Sequence, residues 1–239
     1  MEVSILAYPK KSHRREFVLP RENVNLAELL GIIAGDGGIS SDWQLRIYLN
    51  SITDKDYAPK VCNLIYSLFD LNPSTRIRPR ENTLIIDVSN IGLIDFLVNK
   101  GAIKGNKVVN GVDMPVWIVS DIEYSKAFIR GVFDTDGCTF YDRHKYRNKT
   151  YQHLGIAFTN KSELLLESIF KKLKLMGYHP TLSTKYRIML RREKEIFEFF
   201  QDIIPSNPRH WDKLNEFKEE YRSGRNGTVS KAVVRATGP

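Results

Sequence analysis

Leu29–Gly37 reads LLGIIAGDG, and Ile129–Gly137 reads IRGVFDTDG. Superposed, Gly31 meets Gly131, Asp36 meets Asp136 and Gly37 meets Gly137, at an offset of 136 − 36 = 100 residues. Such a repeat constrains the architecture more than local propensity does. Gly31 and Gly35 are four residues apart, so on a helix they share one face. Glycine costs roughly 1 kcal/mol against alanine inside a helix. Two glycines on one face make sense where a second helix backbone lies close. The second segment supplies Gly131 and Thr135 at the matching positions. The two segments are therefore expected to be helices packed on each other across a pseudo-twofold axis.

The residues that follow repeat in kind. Asp42–Asn50 (DWQLRIYLN) alternates as a strand, with Gln44, Arg46, Tyr48 and Asn50 opposite Trp43, Leu45, Ile47 and Leu49. Val61, Leu64, Ile65 and Leu68 have helical spacing. STRIRPR and TLIIDV, about a turn at Glu81-Asn82, read as a hairpin. Ser89 or Asn90 caps a short helix through Val98. In the second half Tyr151–Thr159 reads as a strand. Ser162 starts a helix that Gly177 stops. A hairpin spans Thr181–Leu190, and helices follow near Glu193–Phe200 and Trp211–Tyr221. The expected fold is α+β: two pseudo-twofold-related αββαββα halves. The expected divisions are an N-terminal extension (1–20), a first half (21–112), a linker (113–124), a second half (125–222) and a basic tail (223–239).

Asp36 and Asp136 break local rules. Each is expected in the last turn of its helix, where the dipole repels a carboxylate by about 0.3–1 kcal/mol. Helix packing would also bring the two like charges together. One Asp-Gly after a helix is ordinarily a turn. Two at matched repeat positions point to a functional site. A divalent cation removes the conflict, and hard oxygen ligands suit Mg²⁺.

These two segments resemble the signature helices of the LAGLIDADG homing endonucleases, and residues 21–222 resemble that family's paired halves. The resemblance implies a sequence-specific endonuclease that uses Mg²⁺, or another divalent cation such as Mn²⁺, to cut both strands of duplex DNA at a long asymmetric site. It implies metal held by Asp36 and Asp136 with the carbonyls of Gly35 and Thr135, and paired sheets forming a saddle over the DNA. It places polar residues after the first strand of each half, here Asn50-Ser51 and Asn160-Lys161. Asn50 and Asn160 are expected to orient water, and Lys161 to stabilise the anionic transition state. Ser51 stands where a second lysine is expected, so the two strands are expected to be cut at different rates. Strand alternation groups Asn160 with Leu154, Ile156 and Phe158. Either a bulge intervenes or Asn160 is not the partner of Asn50.

Candidates for contact with DNA are the polar strand positions: Gln44, Arg46 and Tyr48; Arg76, Arg78 and Arg80; Lys185, Arg187 and Arg191. Alternate arginines set guanidinium groups side by side for guanine or phosphate. The same pattern also fits a solvated sheet face. Tyr141–Thr150 reads as a basic hairpin tip.

The charge agrees with a polyanionic partner. The 239 residues carry 36 Lys+Arg against 28 Asp+Glu, net +8. Cys62 and Cys138 fit neither a disulfide framework nor a metal spacing and read as core thiols. The five histidines form no paired zinc pattern. No apolar run approaches membrane-spanning length and no signal peptide is evident, so an intracellular, soluble protein is expected, and the two halves in one chain imply a monomer. Lys10, Lys11, Arg14 and Arg15 near one end and Arg225, Lys231 and Arg235 near the other are equally consistent with phosphate contact and with solvated ends. Met1 and Gly238-Pro239 do not read as intein splicing ends, which favours an intron-encoded enzyme. The rival readings are an RNA maturase assisting intron splicing and a non-cleaving DNA-binding regulator on the same fold.

Overall fold

The computed structural model describes residues 16–146 and 149–222. The basic residues 10–15, the tail 223–239 and the hairpin tip 147–148 lie outside the described residues.

The chain opens with α1 (Val24–Gly35), capped by the Asn23 side chain accepting from Leu26 N. Every residue from Leu26 to Ala34 is buried. A helix buried all round has neighbours on all sides, and this one runs beside its repeat. Next come strands β1 (Gly37–Ser41) and β2 (Gln44–Asn50), helix α2 (Ala58–Phe69), and strands β3 (Ser74–Arg78) and β4 (Thr83–Ser89). Helix α3 (Ile91–Asn99) closes the first half, its cap Asn90 accepting from Leu93 N. A short helix, α4 (Val116–Val119), lies in the linking stretch, and α5 (Ile122–Asp136) begins before the stretch ends. The second half continues with β5 (Gly137–Tyr146), β6 (Lys149–Thr159), α6 (Glu163–Leu175), β7 (Thr181–Thr184), β8 (Arg187–Leu190), α7 (Glu193–Asp202) and α8 (Pro208–Arg222).

Among the described residues there are two four-stranded antiparallel sheets of matching order, β1-β2-β4-β3 and β5-β6-β8-β7. This is the expected α+β architecture of two αββαββα halves, with an added helix at the end of the second. Leu45, Ile47 and Leu49 of β2 and Leu84, Ile86 and Val88 of β4 turn one sheet face to the helices. The second sheet does the same with Leu154, Ile156, Phe158, Ile188 and Leu190. Between the layers, α1 packs along α5. The crossing is as close as the glycines imply: a Cβ built on Gly31 would lie 2.2 Å from Phe128 O, and one on Gly131 2.3 Å from Glu28 O.

Some local readings change. Asp42-Trp43 is the turn between β1 and β2, not the start of a strand. Gly37 and Gly137 do not stop their helices by a left-handed turn. Each is the first residue of a strand, and its missing Cβ leaves room for the helix behind it: a Cβ would sit 2.5 Å from Ile33 Cα or 2.3 Å from Phe133 O. Tyr141–Tyr146 and Lys149-Thr150 are the distal end of the long β5–β6 hairpin, whose strands stay paired as far as Tyr146 and Lys149. Both cysteines are free and part-buried; Cys62 packs against the core, and Cys138 is not among the core residues. Among the described residues no helix is long and apolar enough to cross a membrane.

Candidate active site

The two motif helices end side by side, and so do their carboxylates. Asp36 is the residue after α1 and Asp136 the last of α5, both half-buried. A Cβ on Gly35 would lie 2.0 Å from Thr135 Oγ1 and 3.4 Å from Asp136 Oδ2, which brings Gly35, Thr135 and Asp136 together at the crossing. Burial pushes the Asp36 carboxyl up to about 7, and the Asp136 charge adds to the rise. Lys107 and Arg209 oppose it, while Asp54 reinforces it. Asp136 is also raised by burial, against the pull of a hydrogen bond from Asn160 and the charges of Lys107 and Arg209.

Lys107 and Arg209 do not stand out as site residues in the sequence. Lys107 Nζ donates to the carbonyls of Ile33 (3.0 Å), Ala34 (3.0 Å) and Gly35 at the end of α1. Arg209 Nη2 donates to the carbonyls of Asp134 (3.0 Å), Thr135 (2.9 Å) and Gly137 (3.2 Å) at the end of α5. Each cation thus satisfies carbonyls left open at a helix C-terminus and offsets its partial negative charge. The sequence does carry a signal for them. Lys107 follows Asp36 by 107 − 36 = 71 positions, and Arg209 follows Asp136 by 209 − 136 = 73. Extending the repeat through the loops pairs them.

The two asparagines differ. Asn160 Nδ2 donates to Asp136 Oδ2 at 2.6 Å, and its Oδ1 accepts from Ser162 N. Asn50 Oδ1 accepts instead from Ile52 N and Thr53 N. The sheets explain why. Gly37 pairs with Ile47 and Gly137 with Phe158, so Leu49, not Asn50, occupies the position equivalent to Asn160. The alternation conflict needs no bulge: β6 ends at Thr159, and Asn160 leaves it to reach Asp136. Lys161, the register equivalent of Asn50, is exposed at the rim of a cleft lined by Gly35, Lys107, Asp136 and Asn160.

Fit to a divalent cation can be judged from the donors. Two carboxylates whose charges oppose each other, with the Gly35 and Thr135 carbonyls beside them, form an all-oxygen set suited to a hard cation that retains waters. Among the described residues, no three His, Cys, Asp or Glu side chains gather as a ready cage. The Gly35 carbonyl already accepts from Lys107 and the Thr135 carbonyl from Arg209, and each keeps a second lone pair for a cation.

The candidate DNA-contact residues divide. On the first sheet's outer face stand Gln44, Arg46, Tyr48 and Asn50 of β2 and Arg76 and Arg78 of β3. Asp87 of β4 stands among them. Its Oδ1 accepts from Gln44 Nε2 (3.1 Å) and Arg46 Nε (2.8 Å), and its Oδ2 pairs with Arg76 Nε (3.1 Å). Arg80 is not on this face; it lies in the 3₁₀ turn Pro79–Glu81. On the second sheet Arg187 sits over the Phe140 ring (5.6 Å), and Arg191 follows just past the end of β8. Lys185 lies at the β7–β8 turn and pairs with Glu163 of α6 (2.9 Å), off the sheet face.

Comparison with known proteins agrees with this architecture. Residues 123–205 match the LAGLIDADG-like domain family. Over 159 residues, 63% of this chain, the sequence is 30% identical to replication factor C small subunit of Methanocaldococcus jannaschii, and the match spans 8% of that protein's length. The fold is similar to that of the LAGLIDADG meganuclease I-AabMI bound to uncleaved DNA, with TM-score 0.56 and 11% identity over 85% of this chain and 93% of that one. It is similar also to the LAGLIDADG homing endonuclease I-GzeII in complex with its DNA target, with TM-score 0.53 and 12% identity over 87% and 94%. A complex of I-DmoI with DNA and Mn aligns at TM-score 0.49 and 21% identity over 76% and 97%.

Proposed function

The chain has the LAGLIDADG homing-endonuclease fold, with a LAGLIDADG-like domain in its second half, and from that premise we propose that it cuts both strands of duplex DNA at one long asymmetric site. The observation that carries the reading is the convergence of two carboxylates at the ends of two packed helices, each helix end bearing its own cation. A sequence shaped for stability alone has no reason to bury that arrangement.

In this reading Asp36 and Asp136, with the carbonyls of Gly35 and Thr135, hold divalent metal. The metal supplies Lewis acidity toward the phosphate and a water of lowered pKa. The chain's own residues do the rest. The outer sheet faces, through Gln44, Arg46, Tyr48, Arg76, Arg78, Arg187 and Arg191, bind the grooves and backbone of DNA. Arg80 and Lys185 flank those faces and reach phosphate. Asn160 holds one oxygen of Asp136 and orients water beside it. Asn50 does so on the other side only after releasing its own loop. Lys107, Arg209 and Lys161 place positive charge where the pentavalent phosphate develops negative charge. Because Asn160 bonds its aspartate and Asn50 does not, and because neither Asn50 nor Ser51 offers an ammonium to match Lys161, the two strands are cut at unequal rates. Both motif helices belong to one chain, so one chain suffices. A long, rare target is what the product of a mobile intron requires, and we extend the reading to that origin.

The test is incubation with a duplex DNA library, with Mg²⁺ or with EDTA, and sequencing of the ends. Discrete metal-dependent cuts at one site are expected. Bound but uncut DNA in every condition would turn the reading to a regulator. Stimulation of intron splicing without cutting would turn it to a maturase.

A further inference from the structure

Asp54 belongs to neither motif, yet it joins the Asn50 loop of the first half to the cation at the end of α5. It lies in the turn between β2 and α2, its side chain 4% exposed. One carboxylate oxygen, Oδ2, accepts from the backbone N–H of Asn50 at 3.0 Å. The other, Oδ1, accepts from Asn207 Nδ2 at 2.8 Å and Arg209 Nη1 at 2.9 Å. Arg209 is the cation on the last carbonyls of α5, and Asn207 Nδ2 also bonds Asp134 O at 3.0 Å. One buried carboxylate of the first half therefore grips the Asn50 loop with one oxygen and the second half's cation with the other.

The link has no mirror image. In the sheet register Lys161 stands where Asn50 does, so the position equivalent to Asp54 is Leu165, a buried apolar side chain with no carboxylate to offer. Among the described residues Lys107 has no carboxylate within ion-pair distance, so the α1 end is not tied to the second half in this way. A buried charge that meets three donors is fixed in place, and removing one partner leaves the others misplaced.

We propose that Asp54 is a positioning residue that couples the two strand cuts, holding the Asn50 loop of one centre and the Arg209 guanidinium of the other through a single carboxylate. The inference rests on the endonuclease reading. Asparagine at this position keeps the shape but turns an N–H₂ toward one of its donors, so one of the two links is lost.

The experiment follows strand-resolved cutting of end-labelled target duplex under single turnover, with the full chain. Asp54→Asn is expected to slow both strands by tenfold or more, with DNA binding in EDTA held within about threefold. Arg209→Lys breaks the same link from the other side and serves if Asp54→Asn fails to fold. It too is expected to slow both strands. The metal-free readout is hydrogen exchange of the Asn50 amide, which Arg209→Lys is expected to accelerate although the two residues are 159 positions apart (209 − 50). Unaltered rates in both variants, slowing of one strand alone, or an Asn50 amide indifferent to Arg209→Lys would overturn the coupling. Failure of the unaltered protein to cut any duplex would defeat the endonuclease reading instead, leaving the exchange result to judge the link.

Discussion

Replacing Gly131 by alanine puts one methyl group into the close crossing of α1 and α5. Its Cβ would lie 2.3 Å from Glu28 O and 2.7 Å from Ile32 N. An ordinary carbon–oxygen contact is about 3.3 Å, so the helices must separate by roughly 1 Å. Both colliding groups are backbone, so no side-chain rotation relieves them. Overpacking of this kind costs roughly 1–3 kcal/mol, and the upper end applies where nothing can rotate away. Alanine returns roughly 1 kcal/mol of helix propensity. The expected net loss is about 2 kcal/mol. For a chain of this size that is a fall in melting temperature of about 4–8 °C. Urea unfolding monitored by circular dichroism measures it. Gly38→Ala is the control: it also adds one methyl, but nothing lies within 4 Å of the added Cβ, and a change within about 0.5 kcal/mol is expected. If Gly131→Ala were as stable as Gly38→Ala, the close crossing of α1 and α5 would be wrong. So would the reason given for the glycines, and the convergence of Asp36 and Asp136 would lose its cause.

Asp36→Asn should abolish cutting, leave target binding in EDTA largely intact, and raise the metal-free melting temperature at pH 8 by removing a buried charge; equal loss of binding and cutting would refute the metal-ligand role. Stability of the metal-free protein should fall as pH rises from about 4 to about 7, because Asp36 and Asp134, raised to about 7, keep protons in the folded state that the unfolded chain releases. His210, lowered to about 3 by burial, works the other way: the unfolded chain gains a proton below about 6.5 and the folded one does not, so its contribution is lost as pH falls. Melting temperature against pH, with and without Mg²⁺, checks both, and Mg²⁺ should flatten the part of the slope due to Asp36. Replacing Arg76, Arg78 and Arg80 together by alanine should weaken DNA binding and flatten its logarithmic salt dependence by about 0.9 for each phosphate that is no longer neutralised; an unchanged slope would take this strand off the DNA.

The fold is legible in the sequence because its signals are periodic or conformational. Glycines four apart predict the helix crossing, and alternation from Gln44 to Asn50 predicts β2 and its two faces. The strands β1 and β5 carry no such signal. β1 opens on Gly37-Gly38, and β5 begins as Gly137-Cys138-Thr139, so neither alternates apolar with polar over its first residues. The site is legible at Asp36 and Asp136, where two local rules are broken at matched positions. Lys107, Arg209 and Asp54 are not. They lie outside the motifs, their local chemistry is ordinary, and, the bond from Asn50 to Asp54 apart, their meaning arises from partners 71 to 155 positions away in sequence, from Lys107 with Asp36 to Arg209 with Asp54. The register of Asn160 is hidden for a related reason. The longer β5–β6 hairpin shifts the second sheet, and only the cross-strand pairing shows by how much.

If the first sheet reads DNA as proposed, the grip of Asp87 on Gln44, Arg46 and Arg76 bears on how the protein would acquire a new target. Three candidate base-reading side chains share one acid, so they form a unit of inheritance rather than three independent letters. A substitution at Arg46 alone leaves Asp87 to Gln44 and Arg76, whose settings on the shared acid shift, and so changes what is read at a second place. Swapping one letter of the target therefore drags its neighbour along. Lineages that drift to new sites would be expected to pass first through loss of the acid, with a period of indiscriminate binding, before a new set of side chains settles on the sheet.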